Sequence, residues 1–385
     1  MLFKEIVGLE KIKEQLMLSH QKNRVAHSQL FKGPKGSGKL ALALAYARFL
    51  NCKNPQDMDS CNSCDSCIQF SKLSHPDLHI IFPVVKTTSN KFPQSSEYVE
   101  IWKKEFLKNP YFSLSNWSNT FRSEFLEKVS DKKKELSIYS HQITDINRKL
   151  SLKIFSAKYR VIIIWMPEKM NLQASNKFLK ILEEPPKKTV LIFVAQDSSS
   201  LLKTILSRLQ ATNIKPYTIQ QTINIRNGEK TEEFLKFCRI SSGDMGAVLN
   251  YNIDTIEDND TENFIELMRI SFKSNFSKIS NWSDEISAKT RQDQVKFLTY
   301  CLDLIRECII YNYSNHDLAS TTNKEQEFLK NFAKFIHEQN SLLIIDLFEE
   351  AVKNIKRNAN AKIIFFNLSL ELVKLLKLKV KFAEN

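Results

Sequence analysis

The chain is organised around a phosphate-binding loop, Gly33-Pro34-Lys35-Gly36-Ser37-Gly38-Lys39, which is followed by Leu40. The glycines of such a loop let consecutive backbone N–H groups converge on phosphate oxygens, and its lysine reaches the terminal phosphates. In the full motif a Ser or Thr follows the lysine, and its hydroxyl holds Mg²⁺. The sequence therefore predicts a nucleotide fold without its magnesium chemistry, in which a weak or vestigial nucleotide site is formed by Gly33, Gly36, Ser37, Gly38 and Lys39.

Short apolar runs flank this loop and predict the fold class. A helical run rich in Ala and Leu covers Lys39–Leu50, and strand-like runs cover Ser28–Phe31, Leu78–Phe82, Val161–Trp165 and Val190–Val194. Short, nearly continuous apolar runs are typical of parallel strands that are buried on both faces. Their alternation with helices predicts a doubly wound α/β domain over residues 1–215.

Two further regions follow a helical pattern, and one stretch interrupts the first domain. Residues 216–272 predict a small helical domain, and residues 273–385 predict an all-α domain, in which Val295, Leu298, Leu302, Ile305 and Ile309 share one helix face. The stretch of about 84–141 is aromatic and charged, and we expect a mainly helical insertion that packs on itself or on a partner. The alternative, that its aromatic side chains cover the host domain, stays open.

The overall composition indicates a folded cytosolic protein with a basic surface. The 385 residues include 56 Lys and Arg against 43 Asp and Glu, a formal net charge of +13. Such an excess favours nucleic acid first and an anionic membrane surface second, although an AT-rich genome would also enrich lysine. We expect no membrane span, because no run of about 18 apolar residues occurs. The N-terminus lacks the apolar core of a signal peptide, so a cytoplasmic location with reduced thiols is expected.

Four closely spaced cysteines predict a structural zinc site. Cys52, Cys61, Cys64 and Cys67 give the spacing C-x8-C-x2-C-x2-C. Zinc favours four tetrahedral thiolates, and such a closed site leaves no position open for catalysis. The alternative is a group of four thiols without metal. The other cysteines, Cys238, Cys301 and Cys308, are expected in the core.

A second set of motifs carries a family resemblance. It consists of Asn176-Lys177-Phe178-Leu179-Lys180-Ile181-Leu182-Glu183-Glu184-Pro185-Pro186 and Thr204-Ile205-Leu206-Ser207-Arg208. Together with Leu30-Phe31-Lys32-Gly33-Pro34 and the cysteines, these residues closely resemble bacterial clamp-loader subunits of the AAA+ class. The match covers the first domain, except for the insertion, and is weaker towards the C-terminus. The resemblance implies an AAA+ domain, a lid domain at 216–272 and an oligomerisation collar at 273–385.

The resemblance also implies which functional positions are lost. In hydrolysing family members, an Asp-Glu pair ends the Walker B strand and an arginine lies in the lid; these positions fall on Trp165, Met166 and Gly246. With Leu40, four positions of a phosphoryl-transfer site are therefore changed, and the resemblance implies no ATPase activity of the chain's own. Arg208 and Ser207 are retained, although Leu209 replaces the family's cysteine. In this family that arginine enters the ATP site of the neighbouring subunit.

By resemblance, the chain is a component of a DNA-directed DNA polymerase III holoenzyme that takes part in DNA replication. The implied partners are ATPase subunits of the gamma/tau type, a delta-type subunit, and, through the complex, the sliding clamp and primer–template DNA. The implied cofactors are structural zinc and ATP or ADP that is bound without being hydrolysed. DNA contacts are expected to involve phosphates, since clamp loading is indifferent to sequence.

Other functions stay open at this point. One is an active AAA+ ATPase subunit of the same loader, and another is a zinc-containing nucleic-acid-binding protein with a vestigial nucleotide fold. A small P-loop kinase is a third, but it would need neither the E-E-P-P sequence nor the distant Ser207-Arg208 pair.

Overall fold

The computed structural model describes residues 1–56, 59–126, 134–225, 231, 234, 237–238, 241–251, 259–313 and 323–378. The described residues form two compact units. The first unit lies within Met1–Glu229 and Ser241–Asn250, and the second within Lys230–Ile240 and Tyr251–Asn385. This grouping leaves the three-domain division at 215/216 and 272/273 as a prediction.

A five-stranded parallel sheet forms the centre of the first unit. Its strands are β1 (Ser28–Lys32), β2 (Leu78–Ile81), β3 (Arg160–Trp165), β4 (Thr189–Ala195) and β5 (Gln210–Asn213). They are arranged in the order β2-β3-β4-β1-β5. Leu30 of β1 is in register with Phe193 of β4 on one side and with Ala211 of β5 on the other. The strand that leads into the phosphate loop is therefore flanked on both sides, and the α/β parallel-sheet prediction is confirmed.

Helices cover the sheet. The first five are α1 (Glu10–Gln21), α2 (Lys39–Leu50), α3 (Asp65–Ser71), α4 (Val99–Lys108) and α5 (Leu114–Phe125). They are followed by Ser140–Leu150, Leu172–Glu183, Lys203–Leu206, Ile219–Asn224 and Met245–Leu249. Every residue of α2 is buried, as the Ala- and Leu-rich sequence of this helix requires. The helix that follows the phosphate loop therefore lies inside the unit.

The aromatic stretch of residues 84–141 packs on its host domain. It forms α4 and α5, and Trp102, Trp117 and Phe121 are fully buried. These rings share one apolar cluster with Leu42 of α2 and Val161 of β3. Trp117 also donates its indole N–H to the Pro83 carbonyl at 2.8 Å. The expectation of helical structure is confirmed, and the aromatics cover the host domain, which was the alternative left open; residues 127–133 lie outside the described residues.

The second unit is helical throughout its described part. Its helices are Asn259–Phe272, Phe276–Ala288, Arg291–Tyr313, Asn323–Phe332, Ser341–Lys356 and Ala361–Leu375. The predicted apolar face of residues 295–309 lies on the third of these and contributes Leu298, Leu302 and Ile305 to the core. Trp282 packs between Phe297 and Phe365, with ring centroids 6.0 and 5.9 Å away.

No helix in the described ranges of either unit has the length and apolar composition needed to cross a bilayer. Cys238, Cys301 and Cys308 are all buried, as predicted for core residues.

Candidate functional site

The phosphate loop has the backbone shape that its glycines allow. Gly36 and Gly38 adopt left-handed backbone angles, with φ of 68° and 78°, and α2 begins at the next residue, Lys39. L side chains rarely adopt such angles, so glycine is required at both positions. Lys39 is only 6% exposed, and its ammonium donates to the Pro34 carbonyl at 2.8 Å. Lys39 therefore closes onto its own loop.

The turn that precedes helix Met245–Leu249 packs directly on this loop. The Met245 N–H donates to the Gly36 carbonyl at 3.3 Å. Lys35 and Asp244 form an ion pair at 3.2 Å. A Cβ atom on Gly36 would collide with Asp244, so the turn approaches as closely as a glycine permits.

The connection between α4 and α5, residues Asn109–Ser113, covers the mouth of the loop. We call it the plug segment. Pro110, Tyr111, Phe112 and Ser113 line a cavity of about 20 Å³ together with the loop residues from Lys35 to Leu40. A cavity of that size holds about one water molecule. The plug segment thus lies directly beside the phosphate-binding residues.

Trp165 and Met166, which the sequence analysis assigned to the Walker B positions, are apolar and buried. Trp165 ends β3 at 1% exposure, and its ring centroid lies 4.8 Å from that of Phe112 and 5.8 Å from that of Trp102. Met166 is 3% exposed. Leu40, at the position of the missing hydroxyl, is also buried. None of these three side chains offers an oxygen ligand to Mg²⁺.

Gly246, which the sequence analysis assigned to the position of the lid arginine, lies against the plug segment. A Cβ atom on Gly246 would collide with the carbonyl oxygen of Tyr111. The Asn109 side-chain amide donates to the Gly246 carbonyl at 3.0 Å. An arginine at this position could not be accommodated beside the plug segment.

Glu168 is a carboxylate near this pocket that the sequence analysis missed. Its Oε1 accepts from the Gln196 N–H at 2.8 Å and from the Asp197 N–H at 3.4 Å. Burial raises the pKa of Glu168, while these N–H groups and the Lys39 ammonium act in the opposite direction. The sequence signal that could have identified Glu168 is its position, since it is an acidic residue two positions after Met166. Its backbone partners indicate that Glu168 ties the loop after β3 to the loop after β4.

Arg208 lies on the surface, held by buried neighbours. Helix Lys203–Leu206 precedes it, and the flanking Ile205 and Leu209 are buried. The Arg208 guanidinium donates to Glu183 Oε1 at 2.9 Å and to the Thr204 carbonyl at 2.8 Å. Glu183 and Arg208, which are 25 residues apart in the chain, belong to the two motifs of the family resemblance. The two motifs are therefore joined by one ion pair.

Ser207 supports this turn by donating its hydroxyl to the Thr204 carbonyl at 3.1 Å. In the Arg208–Glu183 pair the side chains are 37% and 50% exposed. Exposed pairs of this kind contribute about 0–1 kcal/mol, so Arg208 can exchange Glu183 for another anion. Among the described residues, no hydrogen bond or ion pair joins Arg208 to the phosphate loop of its own chain.

The four predicted cysteines come together. The sulfur atoms of Cys52, Cys61, Cys64 and Cys67 all lie within 4.8 Å of one another, and those of Cys61 and Cys67 are 3.9 Å apart. Four thiolates at a Zn–S distance of about 2.3 Å would be separated by about 3.8 Å. The Cys61 N–H donates to Cys52 Sγ at 3.2 Å, and the Cys64 N–H donates to Cys61 Sγ at 3.4 Å. The donor set fits a closed zinc site.

The thiols have different electrostatic environments, and the pKa values of two of them, Cys61 and Cys67, are shifted in opposite directions. Backbone N–H groups of Cys64 and Ser63 lower the pKa of Cys61 to about 5, whereas burial raises the pKa of Cys67 to about 12. Arg48 of α2 donates to the side chain of Asn62, inside the cysteine loop. Cys52, Cys61, Cys64 and Cys67 would hold the zinc ion, which would supply cross-linking rather than reactivity between this loop and the end of α2.

Comparison with known proteins identifies the family. A family model described as DNA polymerase III, delta subunit, matches residues 8–218, which is more than half of the chain. The chain belongs to this family. The predicted resemblance to DNA polymerase III clamp-loader subunits is thereby confirmed, because the match spans the phosphate loop, the cysteine cluster and Arg208.

Individual members of the wider family show the same relationship. The chain is 27% identical to the delta' subunit of DNA polymerase III from Bacillus subtilis over 56% of this chain and 50% of that protein. It is 25% identical to the delta' subunit from Escherichia coli over 61% of this chain and 57% of that protein. The chain thus spans about half the length of the curated relatives it matches. A gamma subunit-related structure from Thermotoga maritima covers 95% of this chain and 99% of its own at 15% identity, but its TM-score of 0.37 supports no comparison of folds.

The buried charge of Lys39 should lower the free energy of unfolding of this chain at neutral pH. Burial lowers the pKa of Lys39 to about 8 from 10.5. Below pH 8 the ammonium is charged in both the folded and unfolded states, and the folded state bears the full cost of burying it. Between pH 8 and 10.5 the folded state is the first to lose the proton, so this cost declines as the pH rises. Lys39→Met should therefore raise the free energy of unfolding at pH 7 by about 1–2 kcal/mol.

Urea unfolding at pH 7 and pH 9.5 measures this effect, with the exposed Lys11→Met as the matched control. The advantage of the Lys39 variant should shrink at the higher pH, whereas Lys11→Met should behave alike at both values. A less stable Lys39 variant at pH 7 would show that the bond to Pro34 outweighs the cost of burial.

Proposed function

We propose that the chain is a non-hydrolysing, delta'-type subunit of the bacterial replicative clamp loader and that it supplies Arg208 to the ATP site of a neighbouring ATPase subunit. The observation that carries this proposal is a contrast within the first unit. The phosphate loop is enclosed and lacks magnesium ligands at three family positions, while Arg208 is exposed on a well-packed turn. Family membership supplies the context.

The absence of hydrolysis follows from the chemistry of the pocket. Phosphoryl transfer needs Mg²⁺ to bridge the phosphates and a side chain to orient the attacking water. Leu40, Trp165 and Met166 fill those positions with hydrocarbon, indole and thioether groups. Glu168 lies two residues beyond the last of these positions, and its Oε1 accepts from the Gln196 and Asp197 N–H groups. The chain therefore keeps the fold of the site without the groups that cleave a phosphate bond.

The role of Arg208 follows from its position. Its guanidinium is permanently charged, and its planar donors suit phosphate oxygens. Buried Ile205 and Leu209 on either side fix the backbone, while the weak pair with Glu183 leaves the guanidinium free to change partner. An arginine supplied in trans stabilises the charge on the transferring phosphoryl group and is worth about 10³–10⁵ in rate.

The proposed partners are those of the loader. Residues 273–385 would join a collar with gamma/tau-type and delta-type subunits, and ATP binding in the active subunits would close the ring on the sliding clamp. Primer–template DNA would be contacted through the complex, and the net charge of +13 suits phosphate contacts. Hydrolysis in the neighbouring subunits would then leave the clamp on DNA.

The isolated chain should show no Mg²⁺-dependent ATP turnover above the background of a Lys39→Ala control. Phosphate release at saturating ATP measures this, with a gamma/tau-type subunit as the positive control. Turnover that Lys39→Ala and Glu168→Gln both abolish would instead establish the alternative, an active AAA+ ATPase subunit. Tight DNA binding by the isolated chain without partners would favour the remaining alternative, a zinc-containing nucleic-acid-binding protein.

A further inference from the structure

The plug segment, Asn109–Ser113, packs against the phosphate loop beside Gly38 and Lys39. Tyr111 and Phe112 are each 5% exposed, and Pro110 and Ser113 line the remaining cavity beside Gly38 and Lys39. The Tyr111 ring meets that of Tyr217 at 5.9 Å, and a Cβ atom on Gly38 would touch both tyrosines. The space above the loop glycines is thus filled by aromatic side chains of the same chain.

The segment also links the loop to the turn at Asp244–Ala247. The Asn109 side chain accepts from the Tyr111 N–H at 3.0 Å and donates to the Gly246 carbonyl at 3.0 Å. One amide therefore shapes the segment and attaches it to the turn, while the Met245 N–H attaches the same turn to Gly36. Three separate parts of the chain are joined around the position that a nucleotide's phosphates would occupy.

Two of the positions at which this chain differs from the hydrolysing family members, Trp165 and Gly246, pack against the plug segment. The Trp165 ring packs at a tilt against Phe112, with ring centroids 4.8 Å apart, and Gly246 provides the clearance that the Tyr111 carbonyl needs. An acidic pair at the end of β3 would face these aromatic rings, and an arginine in place of Gly246 would collide with the segment. The lost catalytic residues and the insertion therefore form one packed arrangement.

We propose that the plug segment is a built-in occupant of the nucleotide pocket, with Tyr111 and Phe112 as the residues that exclude ATP and ADP. Ligand pockets commonly measure about 300–1,000 Å³, whereas about 20 Å³ is open here. The phosphate loop keeps its shape because the segment and the Asp244–Ala247 turn hold it, so it needs no bound nucleotide. This property goes beyond the proposed function and does not depend on the role of Arg208.

The test compares the full chain with a variant in which Pro110→Gly, Tyr111→Gly and Phe112→Gly open the pocket. Fluorescent ADP and inorganic pyrophosphate are the probes, and zinc content and circular dichroism verify the fold. The unchanged chain should show no saturable binding up to the highest probe concentration used, and the open variant should reach half-saturation at least about tenfold below that concentration. Adding Lys39→Ala to the open variant should remove the gained affinity. Leu107→Ala, at an exposed site just before the segment, is the matched control.

Two results would overturn the proposal: ADP binding by the unchanged chain as tight as that of the open variant, or no binding by an open variant that is folded. If the triple variant does not fold, Tyr111→Ala is measured under the same criteria, together with amide hydrogen exchange of residues 36–39 in the unchanged chain. These amides should exchange slowly and identically with and without ADP. Any protection added by ADP would show that nucleotide enters the pocket. All these measurements use the isolated chain. A result that contradicts the exclusion of nucleotide would therefore leave the proposed trans role of Arg208 untouched.

Discussion

Replacing Arg208 by alanine should lower ATP turnover at the neighbouring ATP site of a reconstituted loader by about 10³-fold. The physical reason is the loss of a fixed positive charge at the oxygens where negative charge accumulates during phosphoryl transfer. The measurement is DNA-stimulated phosphate release in a loader whose other ATP sites are inactivated, so that only this site is observed. Within the isolated chain the change removes the exposed pair with Glu183 and the hydrogen bond to the Thr204 carbonyl, both at the surface, so the chain should still fold.

Matched variants separate this role from general effects of surface charge. Lys203→Ala removes an exposed cation from the helix that precedes Arg208 and should leave turnover unchanged. Arg208→Lys keeps the charge but loses the planar pair of donors, and it should recover only part of the rate. Loader assembly, followed by gel filtration, should be the same for all three variants. Undiminished turnover with Arg208→Ala in an assembled loader would rule out the trans role.

Removal of zinc should have the second large effect. Elemental analysis should find one zinc per chain, and strong chelation or the pair Cys61→Ser and Cys64→Ser should unfold the segment from Cys52 to Cys67. Structural zinc contributes about 10–16 kcal/mol to the free energy of folding of zinc-finger peptides. A Cys₄ site within a larger domain would bind zinc through the same thiolate ligands. Because Arg48 of α2 bonds to Asn62 of this segment, we expect the disturbance to reach the helix that follows the phosphate loop.

Thermal unfolding of the metal-bound and chelated chain measures this loss, and re-addition of Zn²⁺ should restore the original midpoint. Gln56→Ala is the matched control, because Gln56 is exposed within the same segment and is not one of the sulfur ligands. A chain that contains no zinc, or one that keeps its melting temperature after complete chelation, would reject the Cys₄ assignment.

Local signals were sufficient for much of the fold. The boundaries of α2, Lys39–Leu50, follow from the glycine that ends the phosphate loop and from an uninterrupted run of helix-forming residues. The four predicted strands are within one residue of those observed, because each is a short apolar run inside a buried parallel sheet. In contrast, β5 was missed: its residues, Gln210–Asn213, are polar and largely exposed at a sheet edge, so no apolar run marks them.

Long-range packing limited the prediction of the site. The spacing of the cysteines alone indicated a cluster, and the structure brings their sulfur atoms together. No local sequence pattern predicted where Asn109–Ser113 would pack, because the segment contacts Gly246, more than a hundred residues away in the chain. Glu168 was missed for the same reason, because its partners belong to the loop after another strand.

The sequence by itself determined that this chain has a phosphate loop without its magnesium hydroxyl, a four-cysteine cluster and a retained Ser207-Arg208 pair, because each is written in residues that are close together in the chain. Only the tertiary structure showed that Tyr111 and Phe112 fill the space above that loop and that Arg208 meets Glu183 on the surface. Side chains from distant segments compete for the same volume, and which of them occupies it depends on how the whole unit packs.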